Sequence, residues 1–173
     1  MMEARRHYKL VLSPHKGLGR GMGRELDLKF MKMALLEAKK AFDRDEVPVG
    51  AVVVHKGGVL AKAHNLKEQF KDATKHAEIL ALEKSAKALG QWRLTDCTLY
   101  VTLEPCPMCA GALVQARVGR VVIGAKDPKS GACGSVLNIT QHKKLNHHIE
   151  VEFGVGREEC SQILKDFFES KRG

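Results

Sequence analysis

The sequence predicts a single α/β domain in which helices cover both faces of a β-sheet. Three observations predict it: a helical apolar pattern opens the regular part of the chain, a β-branched hairpin follows, and strands and helices then alternate. The chain has 173 residues, of which 44% are hydrophobic and 28% are charged. This length and composition suit one domain with a well-filled core and differ from those of a disordered chain.

An amphipathic helix is predicted to begin at Leu26, because apolar residues recur from there at helical spacing with charged residues opposite them. The apolar positions are Leu28, Met31, Leu35, Ala38 and Phe42, and the charged positions are Asp27, Lys32, Lys39 and Lys40. Two β-branched runs follow at residues 47–54 and 59–63, separated by a glycine-containing turn at 55–58. This pattern predicts a β-hairpin.

The second half of the chain alternates helices and strands. Residues 77–89 combine apolar and charged side chains at helical period, and Gly90 after them is a typical helix terminator. The remaining predicted elements are, in order, a strand at 98–102, a helix at 108–117 entered through Pro107, strands at 120–124 and 149–153, and a closing helix at 158–170.

Basic residues outnumber acidic ones by 29 to 20, which gives a formal net charge of +9. Such a balance favours a polyanionic partner such as nucleic acid, although charge says nothing about fold. Residues 1–24 contain six basic residues and one acidic residue, contribute +5 and lack periodicity. We interpret them as a basic, flexible N-terminal arm and residues 25–173 as the folded domain, which carries only +4.

The chain is expected to be cytoplasmic. No run approaches the roughly 18 apolar residues that span a bilayer, so no membrane association is expected. The first residues hold only a short apolar island, whereas a secretory signal needs roughly 7–15 apolar residues. Five cysteines, an odd number without a signal before them, argue against a disulfide framework.

Two short segments have the residue types of a metal site. His76 and Glu78 open one predicted helix, and Cys106 and Cys109 open the next. The two cysteines are three residues apart and therefore lie on one face of a first helical turn. Pro107 suits the first helical position, which makes Cys106 the expected cap, and the positive helix end favours thiolates. One imidazole and two thiolates are three zinc ligands, the catalytic arrangement that leaves a fourth position open.

Glu78 is the candidate proton carrier beside this metal. Zinc lowers the pKa of water from about 15.7 to about 7 in a favourable site, and a positioned carboxylate then moves the protons. Residues two apart do not share a helix face, so His76 and Glu78 converge only at the N-terminal end of their helix. Two alternatives stay open: a redox or structural cysteine pair, or a closed zinc site. A closed site would take its fourth ligand from Cys97, Cys133, Cys160, His142, His147 or His148.

The segments His76-Ala-Glu78 and Pro105-Cys-Pro-Met-Cys109 resemble the motif of the zinc-dependent nucleobase deaminases. Within that superfamily the chain is most similar to the bacterial tRNA-specific adenosine deaminases, over about residues 26–172. The resemblance implies a three-layer α/β/α, cytidine-deaminase-like fold with a central mixed sheet of about five strands. It also implies a hydrolase that converts adenosine to inosine at the wobble position, the first anticodon base, of a tRNA.

The resemblance implies roles for individual residues as well. One Zn²⁺ per subunit would be bound by His76, Cys106 and Cys109, with Glu78 as the catalytic proton shuttle. Asn65 would contact the base. The flipped nucleotide or its neighbours would contact Val47, Pro48, Val49, Asp127 and Phe168. The expected partners are a tRNA anticodon stem-loop and a second copy of the chain in a homodimer.

Substrate identity stays open at this point. Pro107, between the cysteines, also occurs in bacterial guanine deaminases, whereas the tRNA enzymes often carry valine or another small residue there. A guanine or other free-nucleobase deaminase with the same zinc chemistry is therefore the alternative. A non-catalytic RNA-binding or zinc-structural protein is the third hypothesis.

Overall fold

The computed structural model describes residues 20–173, so residues 1–19 of the predicted arm lie outside the described residues. The helices are α1 (Arg20–Phe42), α2 (Lys67–Phe70), α3 (Ala77–Leu89), α4 (Pro107–Gln115) and α5 (Arg157–Ser170). The strands are β1 (Gly50–His55), β2 (Gly58–His64), β3 (Cys97–Leu103), β4 (Arg120–Ala125) and β5 (Glu150–Phe153). Every predicted element except the start of the first helix lies within a few residues of its observed position, and α3 ends at Gly90 in a left-handed conformation as expected.

Within the described range the strands form one five-stranded mixed sheet in the order β2-β1-β3-β4-β5. β1 pairs antiparallel with both β2 and β3, whereas β3, β4 and β5 run parallel. The central register aligns Val52 with Tyr100 and Tyr100 with Val122. The mixed sheet of five strands is as predicted.

The sheet separates two hydrophobic clusters, because successive residues of a strand point to opposite faces. Val53, Leu99 and Val121 pack with α3 and α4, while their neighbours Val52 and Tyr100 pack with α1 and α5. Helices therefore cover both faces, which confirms the three-layer α/β/α arrangement. No helix among residues 20–173 has the length and apolar character needed to cross a membrane.

Helix α1 differs from the prediction in its start and in its buried side. It begins at Arg20, six residues before Leu26. Asp27, predicted on the exposed side, is only 5% exposed, and Leu28, predicted on the buried side, is 36% exposed. The apolar pattern therefore misplaced only this first turn, because Met31 and Ala38 are buried as predicted.

Partners on the sheet explain the burial of Asp27. The Arg120 guanidinium donates hydrogen bonds of 2.8 Å and 2.9 Å to its two carboxylate oxygens. The Tyr100 hydroxyl donates a third, of 2.8 Å, to Oδ1. A buried carboxylate is tolerated when it is paired and hydrogen-bonded in this way.

Helix α1 lies directly on the backbone of β1 at Gly50. A Cβ at this position would overlap the carbonyl oxygen of Ala34 and the amide nitrogen of Ala38. The strand consequently begins at Gly50, three residues later than predicted, and residues 47–49 form a turn in which the Val49 N–H donates to the Val47 carbonyl across 2.8 Å. The turn leaves Val47 and Val49 at the edge of the sheet where β3 also ends.

Parallel strands β3 and β4 place their carboxyl ends at this same edge. β3 leads through Glu104 and Pro105 into α4, and β4 leads into the loop that begins at Lys126. The edge where strands end and helices begin is the usual place for a site in an α/β sheet.

Candidate active site

The first turns of α3 and α4 bring the predicted metal ligands together. His76 has extended backbone angles and precedes α3, and Cys106 does the same before α4, with Pro107 at the first helical position. The His76 Nδ1 atom lies 3.6 Å from the Cys106 Sγ and 3.5 Å from the Cys109 Sγ. Three ligand atoms at these separations can surround one metal ion.

The ligand set favours an open metal site over a closed one. His76, Cys106 and Cys109 offer ligand atoms that all lie within 4.8 Å of one another, and no other histidine, cysteine or carboxylate of residues 20–173 joins them. The remaining cysteines, Cys97, Cys133 and Cys160, are buried and unpaired elsewhere in the core. A tetrahedral metal ion on three protein ligands keeps one position for water or substrate.

The electrostatics of the site favour a thiolate at Cys106. Hydrogen bonds from the Cys109 thiol and from His76 lower the pKa of Cys106 to about 4. The hydrogen bond to Cys106, together with burial, raises the pKa of Cys109, and the hydrogen bond to Cys106 also raises the pKa of His76. Without a metal ion, hydrogen bonds therefore join the three ligand side chains. A bound cation would displace the protons of these hydrogen bonds.

Glu78 lies beside this cluster at the start of α3. Its side chain is 3% exposed, and burial raises the pKa of Glu78 to about 7. Its Oε2 atom is buried without a hydrogen-bond partner. A carboxyl group whose pKa lies near neutrality can both accept and donate a proton, and the unpartnered oxygen is available to water or to a substrate.

A cavity of about 730 Å³ opens over the cluster. His76, Glu78 and Cys106 lie in its wall with Asn65 and the two valines Val47 and Val49. The predicted contact residue Pro48 is buried between the valines and does not line the cavity. Besides Cys106, five of the predicted site residues therefore line this one cavity: His76, Glu78, Asn65, Val47 and Val49.

Asn65 is oriented by its contact with α3. Its Oδ1 atom accepts a hydrogen bond of 2.8 Å from the Ala77 N–H, one of the helix's free N-terminal donors. The carbonyl oxygen is therefore occupied, and the NH₂ group is the part of the amide left for a ligand. Asn65 can donate a hydrogen bond into the cavity but has its oxygen engaged.

Asp127 and Phe168 line a second cavity, of about 450 Å³, that adjoins the first through the shared wall residues Val47 and Leu103. Phe168 is 45% exposed, whereas its neighbour Phe167 is 5% exposed and packs edge-on against Phe42. The structure thus divides the phenylalanine pair into one core residue and one surface residue that a base could stack on.

The Asp127 carboxylate is engaged within its own loop. Its Oδ1 atom accepts from the backbone N–H groups of Lys129 (2.9 Å) and Ser130 (3.2 Å), and its Oδ2 accepts from the Ser130 hydroxyl (2.7 Å). Asp127 thus shapes the wall of the second cavity through these hydrogen bonds, and its predicted contact with the nucleotide stays a prediction.

Two buried glutamates that sequence reasoning did not single out hold the loops around the site. Glu104 accepts from the N–H groups of Asp127 (3.0 Å), Cys133 (3.1 Å) and Ser135 (3.0 Å), and also from the Ser135 hydroxyl. Glu46 accepts from the N–H groups of Glu68 (3.0 Å) and Gln69 (2.7 Å).

These two carboxylates explain loop structure that periodicity does not show. Glu46 caps α2, a four-residue helix that the sequence did not predict. Glu104 joins the end of β3 to the loop after β4. In the sequence, each of these glutamates directly flanks an apolar strand. An acidic residue at such a position indicates a buried carboxylate with hydrogen-bond partners, because an unpaired buried charge is strongly unfavourable.

The fold and the site geometry match a known deaminase family. The model of the MafB19-like deaminases matches residues 26–172. The chain belongs to the MafB19-like deaminase family. This deaminase is 52% identical over 143 residues to the tRNA-specific adenosine deaminase of Bacillus subtilis strain 168, a match that covers 83% of this chain and 89% of the relative. The resemblance found in the sequence is thereby confirmed.

Solved structures agree. The deaminase matches, with a TM-score of 0.76 and 45% identity, a structure from a study of A-to-I editing by tRNA:A34 deaminases at the wobble position of transfer RNA; the match covers 79% of this chain and 99% of that one. The guanine deaminase of Bacillus subtilis is more distant, with a TM-score of 0.54 and 39% identity over 57% of this chain and 63% of that one. The cytidine-deaminase-like fold is therefore confirmed.

Proposed function

We propose that this deaminase hydrolyses adenosine to inosine at the first anticodon position of a tRNA and depends on Zn²⁺. One observation carries the proposal: the buried carboxyl of Glu78, with an unpartnered oxygen, lies beside a three-ligand cluster in the wall of a nucleotide-sized cavity. The named relatives, which act on tRNA adenosine, support this substrate over a free base.

The residues present fit zinc. One imidazole and two sulfurs are ligands that zinc prefers, and three of them leave one tetrahedral position. Zn²⁺ bound by His76, Cys106 and Cys109 would supply Lewis acidity that lowers the pKa of a water molecule from about 15.7 to about 7. We assign one such ion to each subunit.

Glu78 would carry the protons of the reaction. Hydrolytic deamination adds the elements of water to the carbon that bears the exocyclic amine and releases that amine as ammonia. The Glu78 carboxylate would take a proton from the attacking water and deliver it to the leaving amine, so it would return to its starting state after each turnover. A pKa near neutrality suits both transfers.

Asn65 and the valines would hold the base. The Asn65 NH₂ group, oriented by Ala77, would donate to an acceptor on the purine edge. Val47 and Val49 provide apolar walls for the ring, as flipped bases require. An unpaired anticodon base is already partly unstacked, which lowers the free energy needed to bring it into the cavity.

The surroundings of the cavity support an RNA partner. Basic side chains outnumber acidic ones by eight to six around the two adjoining cavities; the basic ones are Arg44, Lys67, Lys71, Lys126, Lys129, Lys165, Lys171 and Arg172. Asp127 shapes the loop there, and Phe168 provides an exposed ring for stacking. Several lysine and arginine side chains beside an exposed aromatic ring are typical of surfaces that bind single-stranded nucleic acid.

A homodimer in the cytoplasm completes the proposal. Met108, Gly111, Ala112 and Gln115 lie on one side of α4, and none of them is buried. A Cβ at Gly111 would meet nothing within 4 Å. The small residues Gly111 and Ala112 at the centre of this face would permit close approach of a second copy. Light scattering on the purified protein would measure the oligomeric state.

The test is a substrate panel: an anticodon stem-loop with adenosine at the first anticodon position, free adenosine and guanine. We expect inosine in the stem-loop, and the Glu78→Gln variant should keep zinc while losing roughly 10²–10⁴ of the rate. Zinc content by atomic emission separates the loss of catalysis from the loss of metal. Xanthine formed from guanine, with an unchanged stem-loop, would contradict the proposal and favour the free-base deaminase.

A further inference from the structure

A chain of hydrogen bonds leads from the buried side of α1 to the wall of the active-site cavity. The Glu37 Oε2 atom lies 2.8 Å from the His64 Nδ1, and the His64 Nε2 lies 3.4 Å from the Arg44 Nη1. Glu37 and His64 are buried, whereas the exposed Arg44 lines the cavity over the metal cluster. His64 directly precedes Asn65.

The chemistry of the end groups determines the tautomer of His64. A guanidinium only donates hydrogen bonds, so the His64 Nε2 must accept from Arg44. A carboxylate only accepts, so Nδ1 carries the proton and donates to Glu37. The contacts thus place the lone pair of the His64 Nε2 toward Arg44 and its Nδ1–H toward Glu37.

Glu37 is stable as a carboxylate in this position. Burial alone would raise the pKa of Glu37, but hydrogen bonds from Lys40 and His64 outweigh it and hold the pKa below its ordinary value. The Lys40 ammonium donates to Oε1 across 2.7 Å. The charge of Glu37 is therefore balanced by Lys40 and is not directed at Arg44.

The positive charge of Arg44 has no such balance. Among residues 20–173 no carboxylate lies within ion-pairing distance of its guanidinium, and neighbouring Asp45 is paired with Lys171. One of the five N–H donors of Arg44 is used by His64, and the others are available to a ligand. An anchored arginine with free donors in a cavity wall is suited to binding phosphate.

We infer that Arg44 binds a backbone phosphate adjacent to the deaminated nucleotide, and that Glu37 and His64 are positioning residues that hold its guanidinium. This inference rests on the proposed function, because it requires an RNA substrate. Arg44 would contribute to substrate binding, with little effect on the chemical step at Glu78.

The experiment measures deamination of the anticodon stem-loop at several salt concentrations. For Arg44→Gln we expect about a tenfold rise in KM with kcat nearly unchanged. The slope of log KM against log salt should become shallower by about one, as for the loss of one phosphate contact. Arg44→Lys should recover part of the affinity and most of the salt dependence. Arg93→Gln, which removes an equal charge stacked on Trp92 away from both cavities, is the matched control and should behave as wild type.

The positioning role has its own readouts. A carboxamide at position 37 can donate or accept, so Glu37→Gln should weaken the preference for Nδ1–H in the ¹⁵N spectrum of the His64 ring, and the double variant with Arg44→Gln should lose it. Glu37→Gln should also raise KM, and it should add little to the effect of Arg44→Gln in the double variant. Additive effects of the two substitutions would overturn the coupling between Glu37 and Arg44.

Failure of this inference and failure of the proposed function give different results. If wild type deaminates the stem-loop and folded Arg44→Gln keeps its KM and its salt slope, the phosphate role of Arg44 is wrong and the function stands. If wild type does not deaminate the stem-loop, both are wrong. Thermal unfolding shows whether each variant is folded. If Arg44→Gln is not folded, the KM and the salt slope of Arg44→Lys, compared with those of wild type, test the phosphate role instead.

Discussion

The side-chain oxygen of Asn65 accepts a hydrogen bond of 2.8 Å from the backbone N–H of Ala77. Ala77 is the first residue of α3 and directly follows the metal-ligand candidate His76. One amide therefore joins the end of β2 to the backbone that positions the metal cluster. Its oxygen accepts from the backbone of α3, and its NH₂ group is the part that we propose binds the substrate.

This division of roles predicts different results for two substitutions of Asn65. Asn65→Asp keeps an acceptor for Ala77, and a negative charge suits a helix N-terminus, so stability should change little. The substrate donor is lost, and kcat/KM on the stem-loop should fall by roughly 10–100-fold. Asn65→Ala loses both roles and should also be destabilised by about 1–2 kcal/mol. Urea unfolding and steady-state kinetics measure the two effects, and equal stability losses in the two variants would contradict the prediction.

Glu104 is predicted to be the main support of the loop at residues 127–135. Glu104→Ala removes the acceptor for three backbone N–H groups and one hydroxyl, so unfolding should become easier by at least about 3 kcal/mol. Glu152→Ala, which removes an exposed carboxylate on β5, is the control and should stay within about 0.5 kcal/mol of wild type. Urea unfolding provides the comparison, and similar stabilities of the two variants would show that Glu104 has no such role.

Three buried thiols predict a loss of stability at alkaline pH. Burial raises the pKa of Cys97 to about 11 and the pKa values of Cys133 and Cys160 to about 12. The thiols of an unfolded chain ionise near pH 8.5, whereas the folded protein keeps these three protonated. The free energy of unfolding should therefore fall as the pH rises from about 8.5 up to the folded pKa values. Each thiol should contribute a fall of about 1.4 kcal/mol per pH unit in that window.

The variant Cys160→Ala tests this pH dependence. Between about pH 9 and about pH 11, its free energy of unfolding should decline less steeply than that of wild type. The difference in slope should be about 1.4 kcal/mol per pH unit, the contribution of one thiol. Urea titrations across this range measure both slopes. Parallel slopes would mean that the Cys160 thiol does not remain protonated in the folded protein.

Asp27 and Arg120 form a buried ion pair, so the protein should lose stability when only one of the two is replaced. Arg120→Met leaves the Asp27 carboxylate buried without its guanidinium and should destabilise the protein by about 3–5 kcal/mol. Adding Asp27→Leu removes the buried charge and should recover part of that loss. Thermal or urea unfolding of the single and double variants measures the recovery; a double variant less stable than Arg120→Met would contradict this account.

Local rules predicted each of the two segments that form the metal cluster. The spacing of Cys106 and Cys109, with Pro107 at the helix start, is a property of one helical turn. The predicted convergence of His76 and Glu78 at the N-terminal end of α3 also follows from helix geometry alone. The contact between His76 and the two cysteines, 30 and 33 positions further along the chain, was expected from the deaminase motif that the two segments together resemble.

Contacts between distant residues were not predictable in this way. Asp27 was assigned to the exposed side because its partner Arg120 lies 93 positions further along the chain. Glu104 and Glu46 resemble ordinary acidic residues until their loops fold around them. The role of Asp127 likewise depends on hydrogen bonds within a turn that periodicity does not reveal.

The contact of α1 with Gly50 has a mechanical consequence. Because no side-chain atom separates Ala34 from the β1 backbone, α1 and β1 cannot move closer together without a steric clash. We therefore expect any adjustment on substrate binding to occur outside this contact, in the loop between β2 and α3 and in the long connection from β4 to β5. Amide hydrogen exchange should be slow along α1 and β1 and faster in those two connections.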